Sequence, residues 1–461
     1  MIGSYRVSET PVRWTRKYWP ELLVLLLGFF LRGTMAFTYD VRWGYDFPDH
    51  WAYIDWFLGH RELPSPMLSR QAYGPPLYYF VAALVHRAGL PVLHMNLISI
   101  ACGSLRLLVI WFGLERNLSW SRPARLVALA IAALLPASVH IDGMVTNEGL
   151  SNLLSALAIV LMLELLRSDG GRRWRMALGL GLVVGLGMLT KISMLSLVGV
   201  GLIIAFVELG WVNRDGWRGR YRRFLPWAAS LVVALTVSGW YFVYLQRTQG
   251  RMAPTSFDGI LASWYAPIAR TPYLDRRKGS FFYGWTNDIF DSPYYPTATV
   301  PVSYFWPTMV ASTFVDYYNF GFAQRTRPAE IHNGRPVPVR AAFLSSLAVM
   351  GGTWIALTTI ISWLVVAFAA WRSKDVAILL VVLVPLVALL GQLHFAIKFA
   401  IDAQGPVKGA YMQFAAAPLY ALFGIAATWG WKRGWGEKLA VVFHAVAFAT
   451  VAIYCLYARL G

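Results

Sequence analysis

Runs of apolar residues long enough to cross a bilayer recur along most of the chain, separated by short polar gaps. A span needs about 20 mainly apolar residues. Such runs lie at roughly 20–38, 94–113, 124–143, 147–166, 175–190, 192–211, 224–245, 344–370, 376–397, 410–430 and 439–458. One further stretch, "PPLYYFVAALVHRAG" at 75–89, is short, opens on two prolines and ends in His86-Arg87. The pattern predicts an all-α polytopic membrane protein, and the placing of 75–89 decides its topology.

Charge settles that placement. If 75–89 does not cross, one side of the membrane receives the N-terminus with Arg6, Arg13, Arg16 and Lys17. The same side receives "ERNLSWSRPAR", "RSDGGRRWR", "NRDGWRGRYRR", "WRSKD" and "WKRGWGEK". Each is basic, as cytoplasmic gaps are under the positive-inside rule. The expected arrangement is about eleven spans, N-terminus inside and C-terminus outside, with 75–89 as a juxtamembrane helix on the outer face. Two outer segments stand out, 39–93 and 246–343, the latter rich in Tyr, Trp, Pro and Arg. The chain thus divides into an N-terminal transmembrane module (1–245), a periplasmic loop region (246–343) and C-terminal transmembrane helices (344–461). Thr34-Met35-Ala36 loosely resembles a signal-peptidase site, and the first run reads as an uncleaved signal anchor.

Composition narrows the class further. Of 461 residues 57% are hydrophobic and 14% charged, with mean hydropathy +0.50, too apolar for a soluble chain of this length. The net charge of +18 suits cytoplasmic loops better than nucleic acid. Cys102 and Cys455 lie inside apolar runs, so cysteine chemistry is not expected. The 21 Trp and 23 Tyr fit interfacial belts and sugar-stacking surfaces. No internal repeat or low-complexity segment is present.

Against this background, "GYDFPDHWAYIDWFLGHRELP" gathers Asp46, Asp49, His50 and Asp55 among aromatic rings, just beyond the first span. Asp46 and His50 are four apart, as are Asp49 and Tyr53, so a helix beginning near Pro48 groups them. A helix cap would account for one carboxylate but not for the histidine. "SVHIDGMVTNEGLSNLL" places His140 and Glu148 at the outer end of neighbouring spans, where Thr146 or Asn147 would cap the helix and Glu148 complement its dipole. Ionisable groups facing an interior cavity at span ends are functional candidates. "GLGMLTKISM" sets Lys191 between two spans, either snorkelling or meeting a phosphate from the outer leaflet. "HFAIKFAIDAQGPVKGAYM" adds His394, Lys398, Asp402, Lys408 and Tyr411 to the same face. Arg32, in the first span, reads as a snorkelling or packing residue.

Taken in order, "DFPDHWAYIDWFLGHRELP…YGPPLYYF", "TNEGLSNLL", "LTKIS" and "QGPVKGAYM" resemble the GT-C superfamily of membrane glycosyltransferases over most of residues 20–430. The branch they look like holds the lipid A aminoarabinose transferases and the protein O-mannosyltransferases. The resemblance implies a catalytic acid in the first outer loop, either Asp49 or Asp46, and a second acid at Glu148. It implies a phosphate-binding lysine at Lys191 and a basic-x-x-Tyr element at Lys408 and Tyr411. His50 stands where many members have Glu.

The implied reaction moves a sugar from a polyprenyl phosphate in the outer leaflet to an acceptor hydroxyl at the periplasmic face of a bacterial inner membrane, with inversion. Lys191, Lys408 and Arg70 would hold the lipid phosphate. Asp49 or Asp46 would be the base, oriented by Glu148 or His50. Tyr53, Tyr73 and His140 are expected near the acceptor or sugar, and rings of 246–343 would stack on sugars. Asp46, Asp49, His50 and Glu148 also form a conceivable set for a divalent cation such as Mn, Mg or Zn. Expected partners are the bilayer, the lipid-linked sugar and a glycan, lipid or protein acceptor, with no nucleic acid. The rival class is a secondary transporter or lipid flippase, for which internal repeats would be expected.

Overall fold

The computed structural model describes residues 11–118, 120–211, 216–291, 304–315, 339–400, 407–429 and 435–460, and among them no strand occurs. α1 (Pro11–Thr38) leads to two short helices, α2 (Phe47–Gly59) and α3 (Leu77–Arg87). Then come α4 (Leu97–Asn117), α5 (Arg122–Leu134), α6 (Pro136–Asp142), α7 (Glu148–Arg167), α8 (Gly170–Met188), α9 (Leu195–Trp211) and α10 (Gly216–Gln249). The long loop region carries α11 (Ala262–Arg270), α12 (Ser280–Tyr283), α13 (Asp288–Asp291) and α14 (Phe305–Phe314). α15 (Val339–Ser373), α16 (Val376–Lys398), α17 (Ala416–Thr428) and α18 (Trp435–Leu460) follow.

Among the described residues, nine helical segments are long and apolar enough to cross a membrane, and the bent pair α5–α6 makes a tenth. The expected span at 175–190 overlaps α8, whose first turns carry Arg172, Arg173 and Arg175 and dilute its apolarity. α3 has 11 residues, about 16 Å of helix, against a hydrocarbon core of about 30 Å. It cannot cross, as its charge context required. Followed by chain direction, the basic gaps at 115–125, 167–175 and 372–375 sit at the end of the bundle opposite α2 and α3.

Two apolar cores build the bundle. One joins α1, α4, α5, α15, α17 and α18; the other joins α7, α8, α9, α10 and α16. Within the second, α8 and α10 approach closely because α8 presents Gly181 and Gly185 four apart. A Cβ at Gly181 would meet the Ser230 carbonyl at 2.5 Å, and one at Gly185 would meet Val237 Cβ at 2.7 Å. Small residues at this spacing let transmembrane backbones touch.

The 50° bend between α5 and α6 follows from Pro136. Proline has no N–H to give the Ala132 carbonyl, and its ring displaces the preceding turn. In a membrane such freed carbonyls need partners from within the protein. Arg32 supplies them: Nη1 donates to the Ala133 carbonyl at 3.0 Å and Nη2 to that of Ala132 at 3.4 Å. Its Nε reaches Asp142 Oδ2 at 2.8 Å, and Arg106 Nη2 reaches the same oxygen at 3.1 Å. All three side chains are buried. Arg32 is therefore no snorkelling residue but the repair of a broken span.

The long loop region docks on the end of α16. Arg276 Nη1 donates to the Lys398 carbonyl at 3.1 Å and Arg277 Nε to that of Ala396 at 3.3 Å, satisfying carbonyls that a helix C-terminus leaves open. Phe257 stacks on Phe399, with centroids 4.3 Å apart.

Candidate active site

The site end of the bundle is floored by α2 and α3. The face of α2 that carries Phe47, His50, Tyr53, Ile54 and Phe57 is buried, packed on Tyr78, Tyr79, Ala82 and Ala83 of α3. Tyr53 and Tyr79 stack with centroids 4.1 Å apart. The segment after α2 doubles back along it, and Ser69 Oγ donates to the Asp49 carbonyl at 3.0 Å.

Neither Asp46 nor Asp49 spends its side chain on capping α2. Asp46 stands at the N-cap with φ +54°, yet its carboxylate accepts no cap hydrogen bond. Non-glycine residues enter this left-handed region at a cost of roughly 1–2 kcal/mol, and such backbone strain clusters at functional positions. Both acids turn to Arg70 instead. Its backbone N–H donates to Asp49 Oδ1 at 2.8 Å, and Nε and Nη2 lie 2.8 and 2.6 Å from Oδ2. Nη2 also lies 3.2 Å from Asp46 Oδ1.

Glu148 opens α7, and its Oε1 pairs with Lys191 Nζ. Lys191 Nζ stands 5.4 Å from the Tyr411 ring centroid, while Lys408 Nζ lies 5.6 Å from the same ring and 4.9 Å from that of Tyr45. Lys408 is within electrostatic reach of Asp46, Glu148 and Arg70. The residues taken from four separate motifs thus meet in one place, with three cations interleaved among three carboxylates. The connections are short. Leu77 N–H donates to the Leu189 carbonyl at 2.9 Å, tying α3 to the turn that presents Lys191, and the Asn147 amide donates to the Thr190 carbonyl at 3.2 Å.

Other candidates fall elsewhere. His50 is 3% exposed and its Nδ1 lies 3.0 Å from the Tyr79 hydroxyl. Burial pushes its pKa down to about 4, with Lys191 and Arg70 adding to the fall and Asp46 and Asp49 opposing it; at neutral pH the ring is uncharged. Tyr53 is wholly buried, its hydroxyl donating to the Gly74 carbonyl at 3.3 Å. Tyr73 is buried too, its hydroxyl accepting the Ile260 N–H at 3.2 Å. Neither ring presents a face to a sugar, because each is used to pack this outer layer. His140 stands edge-on to Tyr39 and Tyr45, beneath the ring that Lys408 covers. His394 bonds Tyr273 at 2.8 Å, away from the acids, and Asp402 lies outside the described residues. Of the loop aromatics, Phe257, Tyr265 and Tyr273 fasten that region to the end of α16.

As a metal set, Asp46, Asp49, His50 and Glu148 do not converge. Among the described residues no three His, Cys, Asp or Glu side chains gather as ligands. The Arg70 guanidinium lies where an ion bridging Asp46 and Asp49 would sit, and His50 turns inward to Tyr79. Sequence reasoning missed Tyr45, though it stands beside Asp46 in "GYDFPDHW". It also missed the Arg32–Asp142–Arg106 cluster, whose members sit far apart in the sequence.

Residues 73–242 match the family model for dolichyl-phosphate-mannose-protein mannosyltransferases. No curated protein matches the chain by sequence. Structures of the archaeal oligosaccharyltransferase AglB from Archaeoglobus fulgidus are among those similar to this chain. The one with an inhibitory peptide and dolichol-phosphate aligns at TM-score 0.55 and 15% identity, over 96% of this chain and 56% of AglB. The apo form gives 0.56 and 14% over 95% and 56%, and the complex with Zn and sulfate gives 0.53 and 12% over 93% and 53%. The chain therefore spans little more than half the length of AglB. With its multi-pass helical bundle, its short α2–α3 layer and the charged cluster at the span ends, this chain has the fold of the GT-C superfamily of membrane glycosyltransferases.

Proposed function

We propose that the chain is a glycosyltransferase that moves a sugar from a polyprenyl phosphate to an acceptor hydroxyl. The reaction takes place at the periplasmic face of a bacterial cytoplasmic membrane. The observation that carries this reading is the meeting of Arg70, Lys191 and Lys408 with Asp46, Asp49 and Glu148 at the span ends of a GT-C fold. An oxygen-rich leaving group needs cations, and an attacking hydroxyl needs a carboxylate. A transporter would not require both on one face. The dolichol-phosphate of the AglB complex is a lipid phosphate of the class proposed here, and the family model's mannosyl donor is another. The placing of the basic gaps at the opposite end supports a periplasmic site.

In this reading Lys191, Lys408 and Arg70 hold the lipid phosphate, and Tyr411 spaces the two lysines. Asp49 takes the proton of the acceptor hydroxyl as its oxygen bonds the anomeric carbon and the carbon–oxygen bond to phosphate breaks. The electron pair leaves with the phosphate, and a single displacement inverts the anomeric centre. Asp46 is the alternative base. Glu148 orients Lys191, and His50, neutral and inward-facing, holds α2 against Tyr79. The Zn of one AglB complex keeps a divalent cation in view, yet these side chains offer it no ready set of ligands.

The test is transfer of radiolabelled sugar from a polyprenyl-phosphate donor by purified protein in membranes, scored as labelled acceptor and released lipid phosphate. Neither product from any of several donor sugars, with folded protein, would sink the proposal. A reporter fused near Gly279 should read periplasmic; a cytoplasmic reading would reverse the orientation.

A further inference from the structure

The side of α2 turned away from the buried tyrosines carries a groove of about 520 Å³, within the range of small-molecule sites at roughly 300–1,000 Å³. Ala52, Asp55, Trp56 and His60 line one wall, and Leu68 of the returning segment lines the other. Ala52 and Trp56 follow Asp49 by three and seven residues, so these three share one side of the helix, and His60, the residue just past its end, stacks on Trp56. Leu68 stands two residues before Arg70, the residue that grips Asp49. Asp49 and Arg70 do not line the groove but lie beyond it, with Asp49 about 10 Å along the helix axis from Trp56.

The walls are preformed. The Trp56 and His60 rings stack with centroids 3.8 Å apart and planes 9° apart. Trp56 Nε1 donates to the Glu62 carbonyl at 2.9 Å, and His60 Nδ1 lies 3.1 Å from the Trp56 carbonyl. The ring pair is already fixed, which saves part of the entropy that binding otherwise costs. Beside this platform the exposed Asp55 carboxylate has no hydrogen-bond partner among the described residues.

A flat ring pair next to an open carboxylate suits a pyranose. The C–H face of the sugar lies on the rings while its hydroxyls donate to the acid. A lipid tail in the same place would strip water from Asp55 without replacing it. We infer that this groove is an acceptor subsite for carbohydrate, and that the acceptor is a glycan of at least two sugar units. One unit offers its hydroxyl at Asp49 and the next rests on the open outer face of the Trp56–His60 stack. The inference rests on the transfer reading for its direction, but the binding is measurable without any donor.

The experiment uses the full chain in lipid nanodiscs with no donor present. Linear tetrasaccharides of glucose, mannose, galactose and N-acetylglucosamine are screened by saturation-transfer NMR. At least one should bind, and Trp56→Ala should weaken it about tenfold or more. Ala52→Trp, which fills the groove and leaves the ring pair in place, should weaken it similarly. If no tetrasaccharide binds, or if binding ignores both variants, the inference is overturned. A lysine-rich peptide that binds with the same sensitivity in place of the sugars would overturn it too and assign the groove to protein acceptors. Sugar binding without any transfer would cost the enzyme reading alone; transfer without sugar binding would cost this inference alone.

Discussion

Replacing Asp49 with asparagine should tighten the hold on a polyprenyl phosphate even as it slows transfer. Arg70, one of the proposed phosphate ligands, is already engaged: Asp49 takes its Nε, its Nη2 and its backbone N–H, and Asp46 takes a second contact. A phosphate that recruits the guanidinium must first draw it off Asp49. Two unit charges about 4 Å apart interact by about 4 kcal/mol at an effective dielectric of about 20. The Arg70 side chain is 45% exposed, and exposed pairs are worth only about 0–1 kcal/mol. Water therefore screens this pair to about 1–2 kcal/mol, so its removal should lower Kd for the lipid phosphate about 5- to 30-fold.

Asparagine keeps the shape of the side chain and an acceptor for the Arg70 N–H, so α2 should hold its place. Asp46→Asn, which breaks a single contact at 3.2 Å, should tighten binding less. The assay is thermophoretic Kd for a short-chain polyprenyl phosphate in nanodiscs, run beside sugar-transfer rates. Transfer by Asp49→Asn should fall about 10²–10⁴-fold, the usual contribution of a positioned base. Unchanged or weaker phosphate binding by Asp49→Asn would refute the reasoning, because the acid would then help hold the phosphate. Normal transfer by Asp49→Asn with a dead Asp46→Asn would exchange the two roles.

Three further outcomes follow from the same contacts. Lys191→Ala and Lys408→Ala should each weaken the lipid phosphate by a charge-assisted contact of about 1.5–3 kcal/mol, roughly 10- to 150-fold; unchanged Kd in both would leave them as packing on Tyr411. His50 has a folded pKa of about 4 against an ordinary value of about 6.5, so the unfolded chain takes the proton first. Stability present above about pH 6.5 should be lost towards pH 4, by up to about 3 kcal/mol. Thermal unfolding in detergent should show that loss in the wild type and much less of it in His50→Gln, and equal losses would contradict it. Asp142→Asn leaves Arg32 and Arg106 buried without their carboxylate and should destabilise the fold by about 3–5 kcal/mol, read as a large fall in Tm; a near-normal Tm would mean that water reaches the cluster.

The spans, the juxtamembrane placing of α3 and the meeting of Asp49, Glu148, Lys191 and Lys408 were legible because each depends on a local signal. Apolar length, basic gaps and motif order all survive in one dimension. What the residues do with their side chains did not. His50 stands amid acids in the sequence, yet on a helix it falls on the side of Tyr53 and Phe57, which is the buried side. The same helical phase took Tyr53 out of reach of any sugar. Arg32 was opaque for another reason. Its partner carbonyls at 132 and 133 exist only because Pro136 breaks a span a hundred residues away, and no pattern around Arg32 reports that. The segment at 175–190 was counted as a span from its apolar half alone, whereas the helix that forms there begins with three arginines, which keep α8 out of the segments apolar enough to cross.

The acids of the first loop acquire a second meaning from these pairings. Three cations close together in a partly dehydrated site repel one another and lose water, and a protein cannot keep them so without countercharge. Asp46, Asp49 and Glu148 provide it, which accounts for carboxylates among these cations in a strongly basic chain. On the transfer reading, an arriving phosphate dianion takes over that task. As Arg70 and Lys191 turn to the phosphate, Asp49 and Glu148 lose the partners that hold them as spectators. Asp49 is then free to receive the acceptor's proton, because its oxygens are no longer taken up by Arg70. The charge exchange thus ties activation of the base to the presence of the donor. An acceptor hydroxyl that arrives early meets a carboxylate already occupied by Arg70.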